Sequence, residues 1–389
     1  MRLRIVTVVA VVFVMACVAK TEGALFPTNL TSFKPFNGIA YVPFRGNESP
    51  NYYTYPSIAD VTDDITNKLV YLASEIATYG MAGSQFNIAA ICNTYNLPCY
   101  PCAFLNVSNS YDNSNELNAL ILVGNQNYPT TRGLIVGSEA IRDGYDVNTL
   151  ISNINYIRYA THGTVPIGTR EPPSSFFDHP DLVAACDFIQ ADIFPYWAGT
   201  PADQGASFTI QTWQQLTNSF PGTKVIIGET GWPTAGTNIW WGSSSTIVPS
   251  VANQEVYLKA FVPMARSMGV EYFIFELRDQ SWQAQEGIGN VETNWGIYYG
   301  DNTKKQSLVD YLRSGFSVQI SKVNASNADI VVPTFEGNPY SIVATPDIRV
   351  GPWTPYPFTG AAGTNQTVIT VPIFTNAPLS WFYFGWQNF

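Results

Sequence analysis

An α/β barrel of eight strands, the TIM barrel, followed by a small all-β appendage, is the fold predicted by this 389-residue chain. Three observations predict it. Between Phe36 and Phe316, short β-rich runs alternate with amphipathic helical patterns, the signature of repeated βα units on a parallel sheet. Two of those runs end alike, in "LIVGSE" and "VIIGE", so that each sets one carboxylate after a Gly at the end of an apolar strand. After Phe316 the helical spacing stops, and runs such as "FSVQISKV", "ADIVVPTF" and "TVITVPIF" lie among Pro and Gly. The size agrees, because a single core grows to roughly 250–300 residues before it splits.

The chain opens with two arginines and an apolar run from Ile5 to Ala19, followed by small residues suited to cleavage. We read residues 1–23 as a secretory signal peptide, residues 24–316 as the barrel and residues 317–389 as the β-rich extension. No later stretch is long enough to span a membrane. The eight barrel strands are read as "FNGIAYVPF" (36–44), "EIATYG" (75–80), "LPCYPCAFL" (97–105), "TRGLIVGSE" (131–139), "TVPIGTRE" (164–171), "CDFIQADIFP" (186–195), "KVIIGETG" (224–231) and "VEYFIFELRD" (270–279). Between them, "DVNTLISNINYIRYA" places Leu150, Ile151, Ile154 and Ile157 on one helical face. A second helix, "NQEVYLKAFVPMARSM", ends in basic residues near a Gly.

In an oxidising compartment Cys92, Cys99, Cys102 and Cys186 are candidates for disulfides, with three possible pairings. A zinc site lacks ligands, since the histidines are His162 and His179 alone and no HxxxH is present. No cofactor motif is found. Sequons at Asn29, Asn47, Asn106, Asn324 and Asn365 suggest a glycosylated surface and agree with secretion to the exterior or a cell wall. The net charge of −10, from 29 acids against 19 bases, argues against nucleic acid and anionic membranes as partners. The last stretch, "LSWFYFGWQNF", carries six aromatics and is a candidate surface for sugar stacking or self-association.

In a TIM barrel, residues at the C-terminal strand ends face the active site. Glu139 ends the fourth strand and Glu229 the seventh, so both reach the same rim from nearly opposite sides. Cleavage of a glycosidic bond with retention needs two carboxyls about 5–5.5 Å apart, one to attack the anomeric carbon and one to protonate the leaving oxygen.

"VIIGETGWPTAG" resembles the signature of glycoside hydrolase family 17, the β-1,3-glucanases and related glucosyltransferases. The resemblance extends through "GIAYVPF", "TVPIGTRE", "FIFELRDQSW" and "NWGIYYGD", over roughly residues 36–316. It implies a secreted (β/α)8 retaining hydrolase of β-1,3-glucan, with Glu229 as nucleophile and Glu139 as acid/base. It also points to Glu276 and Trp282 in the sugar site. Sugar rings stack on aromatics, so Tyr41, Tyr79, Tyr196, Trp197, Trp232, Trp240 and Trp241 are candidate subsite walls. The chain departs from the family pattern at Ser138, where Asn is usual, and at Asp192 and Phe194, where an Asn and a Tyr or His are common. Two alternatives accompany the hydrolase: a glucanosyltransferase on the same scaffold, and a weakly active or inactive structural glycoprotein that assembles through residues 317–389.

Overall fold

The computed structural model describes residues 34–236, 246–286 and 289–314 and, C-terminal to these, the backbone of six strands between 319 and 385. The signal-peptide reading, Asn29, Asn324, Asn365 and the Trp240/Trp241 pair lie outside the described residues.

Nine strand segments form one sheet: β1 (Phe36–Ala40), β2 (Ala73–Ala77), β3 (Cys99–Tyr100), β4 (Cys102–Ala103), β5 (Leu134–Ser138), β6 (Ile167–Glu171), β7 (Phe188–Asp192), β8 (Lys224–Thr230) and β9 (Tyr272–Ile274). Their order is β3-β2-β1-β9-β8-β7-β6-β5-β4. Every ladder is parallel. Because β3 and β4 are the two halves of one strand, broken at Pro101, the sheet closes on itself as an eight-stranded barrel. Proline supplies no N–H to a ladder but keeps its carbonyl, and Pro101 accepts from the Ile135 N–H at 2.9 Å on the β5 side. On the other side Tyr100 accepts from Thr78 at 3.1 Å. All eight expected strands are present, most of them shorter than the sequence suggests.

Helices cover the outside. In the helix Val147–Ala160, capped by Asp146 accepting from the Thr149 N–H at 2.8 Å, Leu150, Ile154 and Ile157 are buried while Ile151 is half-exposed. Each of the three fully buried side chains contributes about 1.5–3 kcal/mol. The helix Val251–Ser267 buries Tyr257, Leu258, Phe261 and Val262 in the same way.

Outside this barrel unit, Lys34–Tyr311, a second unit begins at Leu312. It holds two three-stranded antiparallel sheets, ordered β10-β11-β14 and β13-β12-β15. Their strands are β10 (Gln319–Val323), β11 (Asn327–Pro333), β12 (Pro339–Thr345), β13 (Thr354–Thr359), β14 (Gln366–Pro372) and β15 (Trp381–Gly385). The expected self-association through the aromatic tail rests on side chains outside the described residues.

The four cysteines are free thiols, against the expectation of disulfides. Cys99 lies against Cys92 of the helix Ile88–Thr94, whereas Cys102, three residues along and so on the opposite face of the strand, is near Arg170 inside the barrel. Burial pushes Cys102 and Cys186 each up to about 12, which keeps them unreactive.

One buried ion cluster ties the first and last strands together. Asp64 accepts from Arg278, and from Tyr41 at 3.1 Å, Arg45 at 2.8 Å and Lys68 at 2.9 Å; Asp64 and Arg278 are both fully buried. Removing one partner of a buried pair strands the other charge, so Asp64→Ala is expected to lower stability by about 3–5 kcal/mol. Urea unfolding checks this, and a loss below about 1 kcal/mol would show that the cluster is dispensable.

Candidate active site

Both glutamates reach the barrel mouth because their strands end irregularly. The β5–β6 register shifts between Ile135 and Ser138, and there Gly137 takes φ +80° and Glu139 φ +52°. A left-handed conformation is costly for a residue with a side chain and marks a site whose surroundings enforce it. Here the Glu139 N–H donates to the Arg170 carbonyl at 2.7 Å. Glu171, the next residue of β6, accepts from the Ile141 N–H at 2.8 Å and the Arg142 N–H at 3.3 Å, and so holds the following turn. On β8 the register shifts between Ile227 and Thr230, turning Glu229 toward the same space.

The two meet at a cavity of 730 Å³. Ser138, Glu139, Arg142, Glu229 and Tyr79 line it, together with a ring cluster of Phe194, Trp197, Phe275 and Trp295 and a second of Phe44, Tyr55 and Trp282; Tyr53, Phe104, Asn106 and Asp112 also line it. Glu229 is 5% exposed and accepts from the Tyr79 hydroxyl at 2.6 Å and from Arg170 Nη1 at 3.5 Å. Arg170 is fully buried, donates Nε to Gln190 at 3.0 Å and Nη1 to the Thr78 carbonyl at 3.3 Å, and lies 4.6 Å from the centre of the Tyr79 ring. Glu139 is more open, its side chain 21% exposed, and pairs with Arg142.

The surroundings treat the two acids differently. Burial raises Glu229, while the Arg170 charge and the Tyr79 hydrogen bond pull it back toward the ionised form. Burial and then the charge of Glu229 push Glu139 up to about 8, against the pull of Arg142. One carboxyl is thus supplied with donors for its anion, and the other is placed to keep its proton at neutral pH.

The remaining expected site residues divide by position. Tyr79, Ser138, Trp197 and Trp282 line the cavity. Tyr41 does not: it is fully buried with its hydroxyl on Asp64. Tyr196 and Trp232 are also fully buried, one layer behind, with Tyr196 stacked edgewise on Trp197, Trp232 and Trp295 at 4.8, 5.5 and 5.8 Å. Trp232 donates Nε1 to the Val248 carbonyl at 3.0 Å. Glu276 does not line the cavity: it is fully buried, among the described residues neither oxygen has a hydrogen-bond partner, and burial pushes its pKa well above the carboxylate range. Asn47 and Asn106 are exposed, and Asn106 stands on the cavity rim. Arg170, Arg142, Glu171, Phe275 and Phe104 also belong to the site and were not expected from the sequence. Of these, Arg170 and Glu171 left a signal, two adjacent charges at the end of an otherwise uncharged strand run. Among the described residues, no group of three His, Cys, Asp or Glu side chains is arranged to hold a metal ion.

Residues 38–296 match the BtgE/BtgC glycoside hydrolase domain. The chain is 29% identical over 200 residues to a glucan 1,3-beta-glucosidase of Saccharomyces cerevisiae, covering 46% of this chain and 62% of that protein. It is 30% identical over 200 residues to a glucan 1,3-beta-glucosidase of Candida albicans, covering 46% and 63%. It therefore spans less than two thirds of the length of these relatives. Among solved structures, the family 17 beta-1,3-glucanosyltransferase of Rhizomucor miehei superposes with a TM-score of 0.59 at 25% identity, over 70% of this chain and 96% of that one. An active-site mutant of that enzyme was solved with laminaritriose.

The Tyr79 hydrogen bond favours the anion of Glu229, so Tyr79→Phe should raise the Glu229 titration midpoint by about 1 pH unit. Carboxyl ¹³C NMR of the two proteins measures it, and an unmoved midpoint would show that Tyr79 does not hold the anion.

Proposed function

The chain belongs to glycoside hydrolase family 17, and we propose that it is a secreted hydrolase of β-1,3-glucan that works by double displacement with retention. In this reading Glu229 attacks the anomeric carbon and Glu139 protonates the leaving oxygen, then takes a proton from the water that releases the sugar. The observation that carries the proposal is the opposed treatment of the two acids at one cavity: a nucleophile must be ionised, a general acid must hold its proton, and the donors fall accordingly. Phe194, Trp197 and Phe275 supply apolar faces for sugar rings. Secretion is supported by the N-terminal apolar run and by the exposed sequons at Asn47 and Asn106.

Ser138, which precedes Glu139 and lines the cavity, is the candidate contact to the sugar 2-hydroxyl. Its shorter side chain reaches less far than an amide, and such contacts strengthen in the transition state. A second reading has its own support. The likeness to a glucanosyltransferase over nearly all of that enzyme's chain favours a sugar hydroxyl as acceptor in place of water, and the first half-reaction is the same.

Purified protein is expected to release reducing sugar from linear β-1,3-glucan, with the β anomer appearing first by NMR. Glu229→Gln should lower the rate by about a thousandfold or more. Initial release of the α anomer, or activity that survives the substitution, would overturn the assignment. Products longer than the donor would favour transfer.

The acid limb of the rate profile should follow Glu229 and the alkaline limb Glu139, whose proton is lost as the pH rises through about 8. Glu139→Gln is expected to remove the alkaline limb for substrates with good leaving groups, read from kcat/KM against pH. A limb that persists would assign it to another group.

A further inference from the structure

A third carboxyl stands between the two glutamates and has no place in the reaction above. Asp192 ends β7 and is in register with Glu229 on β8. It is 4% exposed, and among the described residues neither of its side-chain oxygens has a hydrogen-bond partner. Its position depends on Gly228: a Cβ there would come within 2.8 Å of Asp192 Oδ1 and 3.2 Å of Arg170 Cγ. The missing side chain makes the room that Asp192 occupies.

We infer that Asp192 is a positioning residue that remains a neutral carboxylic acid in the folded protein, leaving Arg170 as the undivided counter-ion of Glu229. This deepens the proposed function and rests on its assignment of Glu229. The local balance of charge supports it. The charged and titratable groups that act on Asp192 are Glu229 on β8, Arg170 on β6, Glu139 with its partner Arg142 in the turn after β5, Tyr79 after β2 and Cys102 on β4, with Glu171 acting from the other side of β6. Among these the cations are Arg170 and Arg142, and Arg142 is committed to Glu139 and Asp143. Arg170 directs Nη1 to Thr78 and Glu229 and Nε to Gln190. Arg170 Nη2 and Gln190 Nε2 are also buried without a partner among the described residues, so neither donates to Asp192 as placed; an ionised Asp192 there would be a buried anion that receives no hydrogen bond, the arrangement proteins avoid by keeping the proton. Burial, then the charges of Glu229 and Glu139, accordingly raise its pKa well above the usual Asp range. Were it ionised, Arg170 would face two anions and hold Glu229 less firmly in the charged form.

Asp192→Asn tests this, because the amide copies the neutral acid in size and charge. If Asp192 is neutral, the substitution changes no charge, and both limbs of the rate profile stay within about 0.3 pH units of their original positions whatever happens to kcat. If Asp192 is ionised, removing its charge moves both limbs to lower pH by about 1 unit, which overturns the inference. Thermal melting gives an independent reading. A carboxyl that keeps its proton on folding binds more protons folded than unfolded, so its contribution to stability is present below the ordinary Asp value of about 4 and is lost as pH rises. The variant's melting temperature should therefore gain on the wild type steadily between about pH 4 and pH 8. Parallel melting curves would overturn the inference. Absence of β-1,3-glucan cleavage would instead count against the proposed function, with the melting comparison still deciding the state of Asp192.

Discussion

The buried guanidinium of Arg170 is the constraint around which the barrel mouth is organised. It lies inside the closed sheet, fixed by Gln190 of the next strand and by the Thr78 carbonyl across the barrel. Its own carbonyl accepts from the Glu139 N–H, so the backbone that places the cation also places one carboxylate. Its side chain reaches the other, Glu229. The following residue, Glu171, points to the opposite side of the strand and holds the turn after Glu139. Two consecutive residues of β6 thus set the backbone of one acid and the charge of the other.

This arrangement separates two chemically identical groups. Burial alone would raise both glutamates. Glu229 receives a phenol and a guanidinium as donors, and Glu139 is paired at the solvent edge while carrying the repulsion of Glu229. The asymmetry comes from depth in the cavity: the deeper acid is reached by Tyr79 and Arg170 from inside the barrel, and the shallower one by the half-exposed Arg142. The aromatic layers repeat this logic. Trp197 presents a face to the cavity, backed by the fully buried Tyr196, Trp232 and Trp295.

Much of this is written locally in the chain. Eight β-rich runs and the Gly before each strand-end glutamate are short-range patterns, and they locate the barrel and both acids. Other features depend on closure. Tyr41 and Tyr79 each stand just beyond the end of a strand, yet one turns toward Asp64 and the other toward Glu229, a choice made by residues far along the chain. Arg278, a natural partner for Glu276 by proximity in sequence, instead joins Asp64 across the barrel seam. Cys99 and Cys102 sit close in sequence and face opposite sides of a strand split by Pro101. Each of these outcomes needs the three-dimensional register, which composition and spacing do not contain.

If Glu229 is the nucleophile of a retaining enzyme, it must carry the sugar between the two displacements, and trapping that glycosyl intermediate is the most direct test. A β-1,3-glucosyl oligosaccharide carrying fluorine at C2 of the reacting sugar and a good leaving group should inactivate the protein with a stoichiometry of one. Peptide mass spectrometry should then place the sugar on Glu229. An adduct on Glu139 or another residue, or continued turnover with no adduct, would contradict the assignment of the nucleophile.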